Sequence, residues 1–389
     1  MRKLVLAPVA AMLTAGGGQG SASRSRTLVV DDDVGRRRRP MRSGVRAVSA
    51  TLFATVLLAV AATSTQASFP GENGSVSFTS LAEADGQLND EVFVTNENGA
   101  SPLRLTTGAP NERDSAVSPN GKEIAFGRGC ACAPVVGATV EIYVMDVNDD
   151  DGDGNGDNLR QLTSNTTLDD QVAWSPGGKK IALRSRRDGN DEIYVIDADG
   201  SGETIRLTNN ASADQNPVFS PNGTKIAFGS NRSGNFDLYM MDASDEDGDG
   251  NGDNLTRLTT NPAGDAWPEF SPDGTKLAFG SNRDGDVDVY VMNPAREAAE
   301  TNVPVNLTNA MVGMNSGGVF VATNERWPAW SPDGQKIAVW SGIGTGLLND
   351  AAIWVIDANG SVGPTNVSST LPGSAWPDWG PLPVKLTHD

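Results

Sequence analysis

Five tetrapeptides of one design divide most of this chain: Ser-Pro, then Asn, Gly or Asp, then Gly, beginning at Ser118, Ser175, Ser220, Ser271 and Ser331. Their serines lie 57, 45, 51 and 60 residues apart. That spacing marks a supersecondary unit of about 40–50 residues carrying insertions, and such units stack on one another rather than fold around one centre. Serine first, proline second, a turn former third and glycine fourth suit a type I turn. A short apolar stretch precedes each turn, as at Pro217-Val218-Phe219, and a lysine-bearing strand follows, as at 225–230 and 276–281. Next come a second turn (231–235, 282–286) and a β-rich run (141–145, 192–196, 237–241, 288–292, 352–356). A short segment typified by Arg-Leu-Thr closes the unit (104–106, 161–163, 206–208, 257–259, 306–308). Each unit therefore reads as four short strands joined by hairpin turns, with no long helical period beyond residue 68. A four-stranded sheet repeated around an axis is a propeller blade, so the expected class is all-β.

The two ends settle the number of blades. The first unit has candidate strands at 75–79 and 91–95 but no innermost strand of its own. Residues 375–381 (AWPDWGP) copy 326–332 (RWPAWSP) and then the pattern stops. A first blade completed by the C-terminal strand ties the ring shut and hides its sheet edges. The count is a six-bladed β-propeller over residues 68–383, with 384–389 as a tail.

The composite pattern, SP(D/N)G–KIAF–(S/N)R-x-G–(D/E)IYVMD–RLT, resembles the TolB-type β-propeller repeat of exported bacterial proteins. The resemblance covers 69–383 and implies a cell-envelope module that binds protein or peptide. It is specific for fold and weak for function, because propellers host many activities.

Residues 1–67 are of different material. Arg36–Arg39, Arg42 and Arg46 precede an apolar run at 48–62, then Thr65-Gln66-Ala67 before Ser68. That order reads as a secretory signal cleaved after Ala67, with Met41 as a candidate true start. A retained membrane anchor is the alternative, although the run falls short of the ~20 residues a span needs. Removing 1–67 leaves 20 Lys and Arg against 46 Asp and Glu, a formal charge of −26. Nucleic acid and anionic membrane surfaces are therefore poor partners. Expected are a monomer that is periplasmic, cell-surface or extracellular, without membrane insertion once the signal is cleaved. Cys130 and Cys132 share one hairpin connection, as a strained local disulfide or as free thiols.

Two units carry the same acidic insertion between their third and fourth strands. Asp149, Asp151, Asp153, Asn155 and Asp157 fall at positions 1, 3, 5, 7 and 9 of one, and Asp245, Asp247, Asp249, Asn251 and Asp253 at those of the other. Alternating carboxylates converge on a hard cation, glycine at position 6 permits the sharp turn, and position 7 offers a backbone carbonyl. Position 12 is Arg160 or Thr256 rather than the bidentate Glu of an EF-hand. The loops look instead like the calcium loops of integrin α-subunit propellers, which implies two structural Ca2+ sites of extracellular affinity, about 10⁻⁴–10⁻³ M. The competing reading is a solvated acidic turn without an ion. Calcium here would brace blades two and four.

Four residues before each turn serine, and at the matching place in the C-terminal copy, the chain reads Asp114, Gln171, Asn216, Trp267, Trp327 and Trp376. Three neighbouring units thus offer an aromatic crescent at the channel mouth, able to hold a peptide or stack a sugar. The alternative is tryptophan packed between blades. The recurrent Arg-x-Gly turns (Arg187, Arg232, Arg283) read as hairpin chemistry with an exposed arginine. The single histidine, His388, lies one residue from the end, which leaves no Ser-His-Asp triad inside the fold and argues against catalysis. The leading expectation is a calcium-stabilised protein- or peptide-binding propeller without enzymatic activity. A carbohydrate-binding surface propeller is the alternative, and a carboxylate-dependent glycosidase or lyase is the more remote one.

Overall fold

Each turn of the repeat closes as its residues demand. In the structure, a computed structural model, the fourth-position glycine N–H donates to the serine carbonyl in all five turns, at 2.8–2.9 Å. Those glycines take φ of 66° to 72°, open to glycine at little cost. The serine hydroxyl accepts the N–H of the residue five further on, as with Lys225 to Ser220 at 2.9 Å, so the side chain seals the strand ends. The structure describes residues 73–84, 87–99, 102–108, 110–129, 139–149, 155–294, 303–309, 312–314, 320–343, 351–360, 364–368, 371 and 374–381. The signal region with Met41 and Ala67, the tail, Cys130, Cys132, Asp151 and Asp153 lie outside them.

Six antiparallel sheets result. Their innermost strands are Ala375–Pro381, Glu112–Val117, Asp169–Trp174, Asp214–Phe219, Asp265–Phe270 and Phe320–Trp330, for blades one to six. Ala375–Pro381 pairs with Asn73–Ala84, so the C-terminal strand does complete the first blade. The outermost strands are only two residues long, such as Ile205–Arg206, which leaves little open edge. Two features exceed the repeat. Asn73–Ala84 and Gln87–Asn96 form a long hairpin in blade one, and Val312–Met314 adds a fifth strand to blade six.

Among the described residues there is no single core. Six apolar clusters each fill the space between two adjacent blades, as where Phe219, Phe228 and Tyr239 of blade four meet Ile193, Val195 and Leu207 of blade three. A four-stranded sheet cannot bury both faces alone, so each blade is stable only against its neighbours. The turns reinforce this contact around the ring. A Cβ on Gly178, Gly223, Gly274 or Gly334 would lie 3.3–3.6 Å from the proline of the preceding blade's turn. At the closure, Asn73 of blade one hydrogen-bonds the Asp333 carboxylate of blade six at 3.0 Å. Asp378 accepts the Val117 N–H of blade two at 2.7 Å.

The innermost strands share a feature that decides the channel. Every one of these strands slips against the second strand at the same repeat position, as between Arg113 and Ala116 or between Arg326 and Ala329, and blade one slips at a second place as well. In the slip sits a left-handed residue: Asp114 (φ 51°), Gln171 (55°), Asn216 (54°), Trp267 (55°), Trp327 (50°) and Trp376 (50°). These are the six ring positions singled out by counting from the turn serines. Each is a β-bulge, which re-aims a side chain out of the alternating pattern. Asp and Asn enter this region through local hydrogen bonding, whereas tryptophan has no such compensation and costs about 1–2 kcal/mol there. Trp327→Gly should therefore unfold at higher denaturant than Trp327→Ala, by about 1 kcal/mol, both having lost the indole. Equal stability of the two would contradict a strained backbone at this position.

Candidate functional site

The six bulge residues surround a central cavity of about 140 Å3. Its wall is divided. Trp267, Trp327 and Trp376 occupy blades five, six and one; Asp114, Gln171 and Asn216 occupy blades two, three and four. The three indoles are half-buried and touch one another, with centroids of Trp267 and Trp327 5.7 Å apart and of Trp327 and Trp376 5.5 Å apart. Trp340, from the second strand of blade six, joins them at 5.4 Å from Trp327. Edge-to-face and tilted contacts of this kind hold aromatic rings in fixed orientations. Trp267 also reaches outward along its blade. A Cβ on Gly280, near the end of the second strand, would come within 2.6 Å of the indole. Gly280 is thus small because the tryptophan leans over it.

Strand order gives the two faces of the ring. Innermost strands run from the connections between blades to the Ser-Pro-x-Gly turns, so the bulges, set back four residues from each turn, sit toward the connection face. The acidic insertions join third to fourth strands and share the turn face. Aromatic crescent and acidic loops are on opposite sides.

The polar half of the wall is electrostatically tuned. Gln171 accepts the Asn216 N–H at 2.9 Å, tying blade three to blade four. Arg184 makes two hydrogen bonds to Asp170, at 2.7 and 2.6 Å, in a buried fork. Burial pushes the neighbouring Asp114 carboxyl up to about 7, with the Asp170 charge adding to the effect. Burial likewise raises Asp378, on the channel wall below Trp376, to about 6, against the opposing Val117 N–H bond.

Of the two acidic loops, the second is described throughout. One oxygen each of Asp245, Asp247 and Asp249 lies within 4.8 Å of the others. The Asp245 carboxylate accepts the N–H groups of Gly248, Asp249 and Gly250 at 2.9, 3.2 and 2.9 Å, and the Gly250 bond leads in holding its pKa below the usual range. The Asn251 side chain accepts the Asn209 N–H at 2.9 Å and donates to Asp249 at 3.2 Å, so what position 7 has to offer a cation is its main-chain carbonyl. Asp253 accepts the Glu246 N–H at 3.1 Å. Oxygen donors at this spacing fit a calcium-sized hard cation. In the first loop, Asp149, Asn155 and Asp157 are described, and Asn155 accepts the Thr107 N–H at 2.9 Å. Both loops dock on the blade before them, through Gly156 to Leu105 and Gly252 to Leu207, each at 2.8 Å. They link blade two to one and blade four to three, a contact that the sequence pattern did not reveal.

The Arg-x-Gly turns depart from expectation. Arg187, Arg232 and Arg283 fold back to Asp169, Asp214 and Asp265 at 3.0, 2.9 and 2.9 Å. Those carboxylates begin the innermost strands and are fully buried, so each needs a cation partner. Each arginine therefore braces the innermost strand of its own blade and is not exposed hairpin decoration.

The fold and its wall define a six-bladed β-propeller with a half-aromatic channel. Residues 158–250 match the TolB beta propeller domain family, so that stretch carries the TolB-type repeat. The structure is similar to that of TolB from Acinetobacter baumannii (21% identity, TM-score 0.61, covering 81% of this chain and 68% of that one). It is also similar to a putative TolB from Agrobacterium tumefaciens (17%, TM-score 0.54, 76% and 89%). Hydrazine synthase of Kuenenia stuttgartiensis contains a similar arrangement (15%, TM-score 0.59, 81% and 48%). Likeness at these identities establishes the fold, and the fold alone leaves catalysis open. No curated protein matches the sequence. Among the described residues no helix is long and apolar enough to cross a membrane.

The raised carboxyl of Asp378 carries a sign that can be checked. Its folded pKa exceeds the unfolded one, so the stabilisation is complete below about pH 4 and is lost as pH rises through about 6. Asp378→Asn keeps an oxygen to accept from Val117. The variant should match the wild type at pH 4 and exceed it at pH 7.5, by on the order of 2 kcal/mol in urea unfolding. A variant less stable at pH 7.5 would refute the assignment.

Proposed function

We propose that this chain is an exported, non-catalytic propeller of the cell envelope that captures a protein or peptide at the connection-face mouth of its channel. The observation that carries this is the tryptophan crescent. Three adjacent blades place indoles at left-handed backbone positions, where a smaller residue would be cheaper, and leave the rings half-exposed. Strain of that kind persists where a side chain's position matters more than its cost. Clustered, pre-oriented tryptophans are the usual anchors of a protein interface. The TolB-type repeat and the exported-protein reading of residues 1–67 support the same location and class of partner. The half-exposed faces would also stack a sugar ring, which makes a glycan the second candidate.

Calcium belongs to the scaffold in this proposal. Asp245, Asp247, Asp249 and the Asn251 carbonyl, with Asp253, would hold one ion, and the matching residues of 149–157 a second. Each ion would stiffen a loop that already bridges two blades, on the face opposite the crescent.

One experiment separates these parts: capture from envelope extract by wild type and Trp327→Ala, in millimolar calcium and in chelator, with melting temperatures recorded beside it. Wild type should retain the same partner in both conditions, and Trp327→Ala should lose it while still folded. Melting should rise by several degrees with calcium. Undiminished capture by Trp327→Ala would remove the crescent from the interface, and a melting temperature indifferent to chelator would remove the ion.

A further inference from the structure

Twelve arginines fall among the described residues, and ten of them make ion pairs. In a chain of formal charge −19, that is the expected fate of a guanidinium. Arg113 and Arg326 are the two exceptions. Both stand one residue before the left-handed bulge, Arg113 before Asp114 and Arg326 before Trp327. Elsewhere in the ring this place holds Asp170, Gln215, Ala266 and Ala375. Asp170 is taken up by Arg184, and Gln215 donates to Asp191 at 2.6 Å. Among the described residues the two unpaired guanidiniums therefore fall in blades two and six, which flank blade one with its Trp376.

Aromatic rings hold both of them in place. The Arg326 guanidinium lies 5.5 Å from the ring centroids of Trp267 and of Trp340, sandwiched between them. The Arg113 guanidinium lies 6.0 Å from Trp376. Trp376 touches Trp327, and Trp327 touches Trp267 and Trp340. The result is one aromatic strip with a guanidinium at each end. Cation–π contact orients the planar groups without consuming their hydrogen-bond donors. Indeed Nε of Arg113 and Nε of Arg326 are buried with no hydrogen-bond partner. Asp90 and Asp114 feel the charge of Arg113, but neither forms an ion pair with it. Burial alone acts on Arg326, lowering its pKa. Half-buried cations with idle donors are costly unless an anion completes them.

We infer that the channel mouth binds a carboxylate next to an apolar group on a peptide segment, with Arg113 or Arg326 gripping the carboxylate and the indoles packing against the apolar group. The inference rests on the mouth being the capture site and adds the chemistry that selects the partner. A planar guanidinium fork matches a planar carboxylate, and an indole strip beside it matches the side chain that accompanies a peptide C-terminus or an acidic residue. It also explains an economy. A strongly acidic protein repels acidic partners at long range, so the two unpaired cations grant access only where contact geometry is right.

The test uses small probes and the full chain without its signal region. N-acetylphenylalanine carries the carboxylate, its amide is the neutral isostere, and glucuronate is an acid without the apolar group. Binding is read by ligand-observed NMR titration in the millimolar range. The acid should bind at least about tenfold more tightly than the amide. At least one of Arg326→Gln and Arg113→Gln should weaken the acid toward the amide, and the double variant should bring it to the amide's level, without changing the amide's own binding. Arg326→Lys should fall between, since it keeps the charge and loses the fork and the stacking. Trp327→Gly should weaken acid and amide alike, which distinguishes the site from its specificity. Equal binding of acid and amide, tight binding of glucuronate instead, or acid binding indifferent to both arginine variants would overturn the inference while leaving the mouth itself intact as a capture site. Absence of binding by any probe at 10-millimolar order would overturn it as well.

Discussion

Each four-stranded sheet in this protein has two faces to bury and only its neighbours to bury them against. That constraint governs everything else. Six inter-blade clusters replace a single core, so no blade gains much until the ring is closed, and closure depends on Ala375–Pro381 reaching Asn73–Ala84. The Ser-Pro-x-Gly turns serve the same end twice. Their serine and glycine close a hairpin, and their proline lies against the glycine of the next turn around one face. On the opposite face a buried carboxylate at the head of blades three, four and five is met by an arginine from a hairpin of the same blade, which stiffens each blade on its own.

Because closure is solved by repetition, the innermost strands present six equivalent positions to one axis. The bulge turns those positions into the channel wall. Repetition makes the wall possible and variation makes it asymmetric: three indoles on one side, Asp114, Gln171 and Asn216 on the other. The acidic loops vary the turn face in the same way, each fastening its blade to the one before. Scaffold and site are therefore separated by the strand direction itself. A cation bound at the loops would act on rigidity, and a partner bound at the crescent would act on the opposite face.

Much of this was legible from the chain because turn chemistry is local. Proline and glycine at set places specify a turn without reference to distant residues, and their spacing counted the blades and found the missing strand. The ring positions were found by the same count. Their left-handed backbone was not, since a bulge is a mismatch between two strands and neither strand shows it alone. Trp340 was missed because it stands on a second strand, off the repeat position that drew attention to the other three. Arg187, Arg232 and Arg283 were misread as exposed because their carboxylate partners lie 18 residues upstream, across a hairpin. Arg113 and Arg326 carried no sequence signal at all. Their distinction is the lack of a partner, which only three dimensions disclose. The fifth strand of blade six lies in an insertion with no repeat to measure it against.

The central claim is that partners enter from the connection face, onto the crescent. Hydrogen exchange of the propeller with and without a protein captured from envelope extract tests that most directly. The account predicts slowed exchange around the bulges and the strand ends beside them, near Arg113, Trp267, Arg326, Trp340 and Trp376, with the Ser-Pro-x-Gly turns and residues 245–253 unchanged. Protection confined to those turns and acidic loops, with the crescent exchanging as in the free protein, would contradict it.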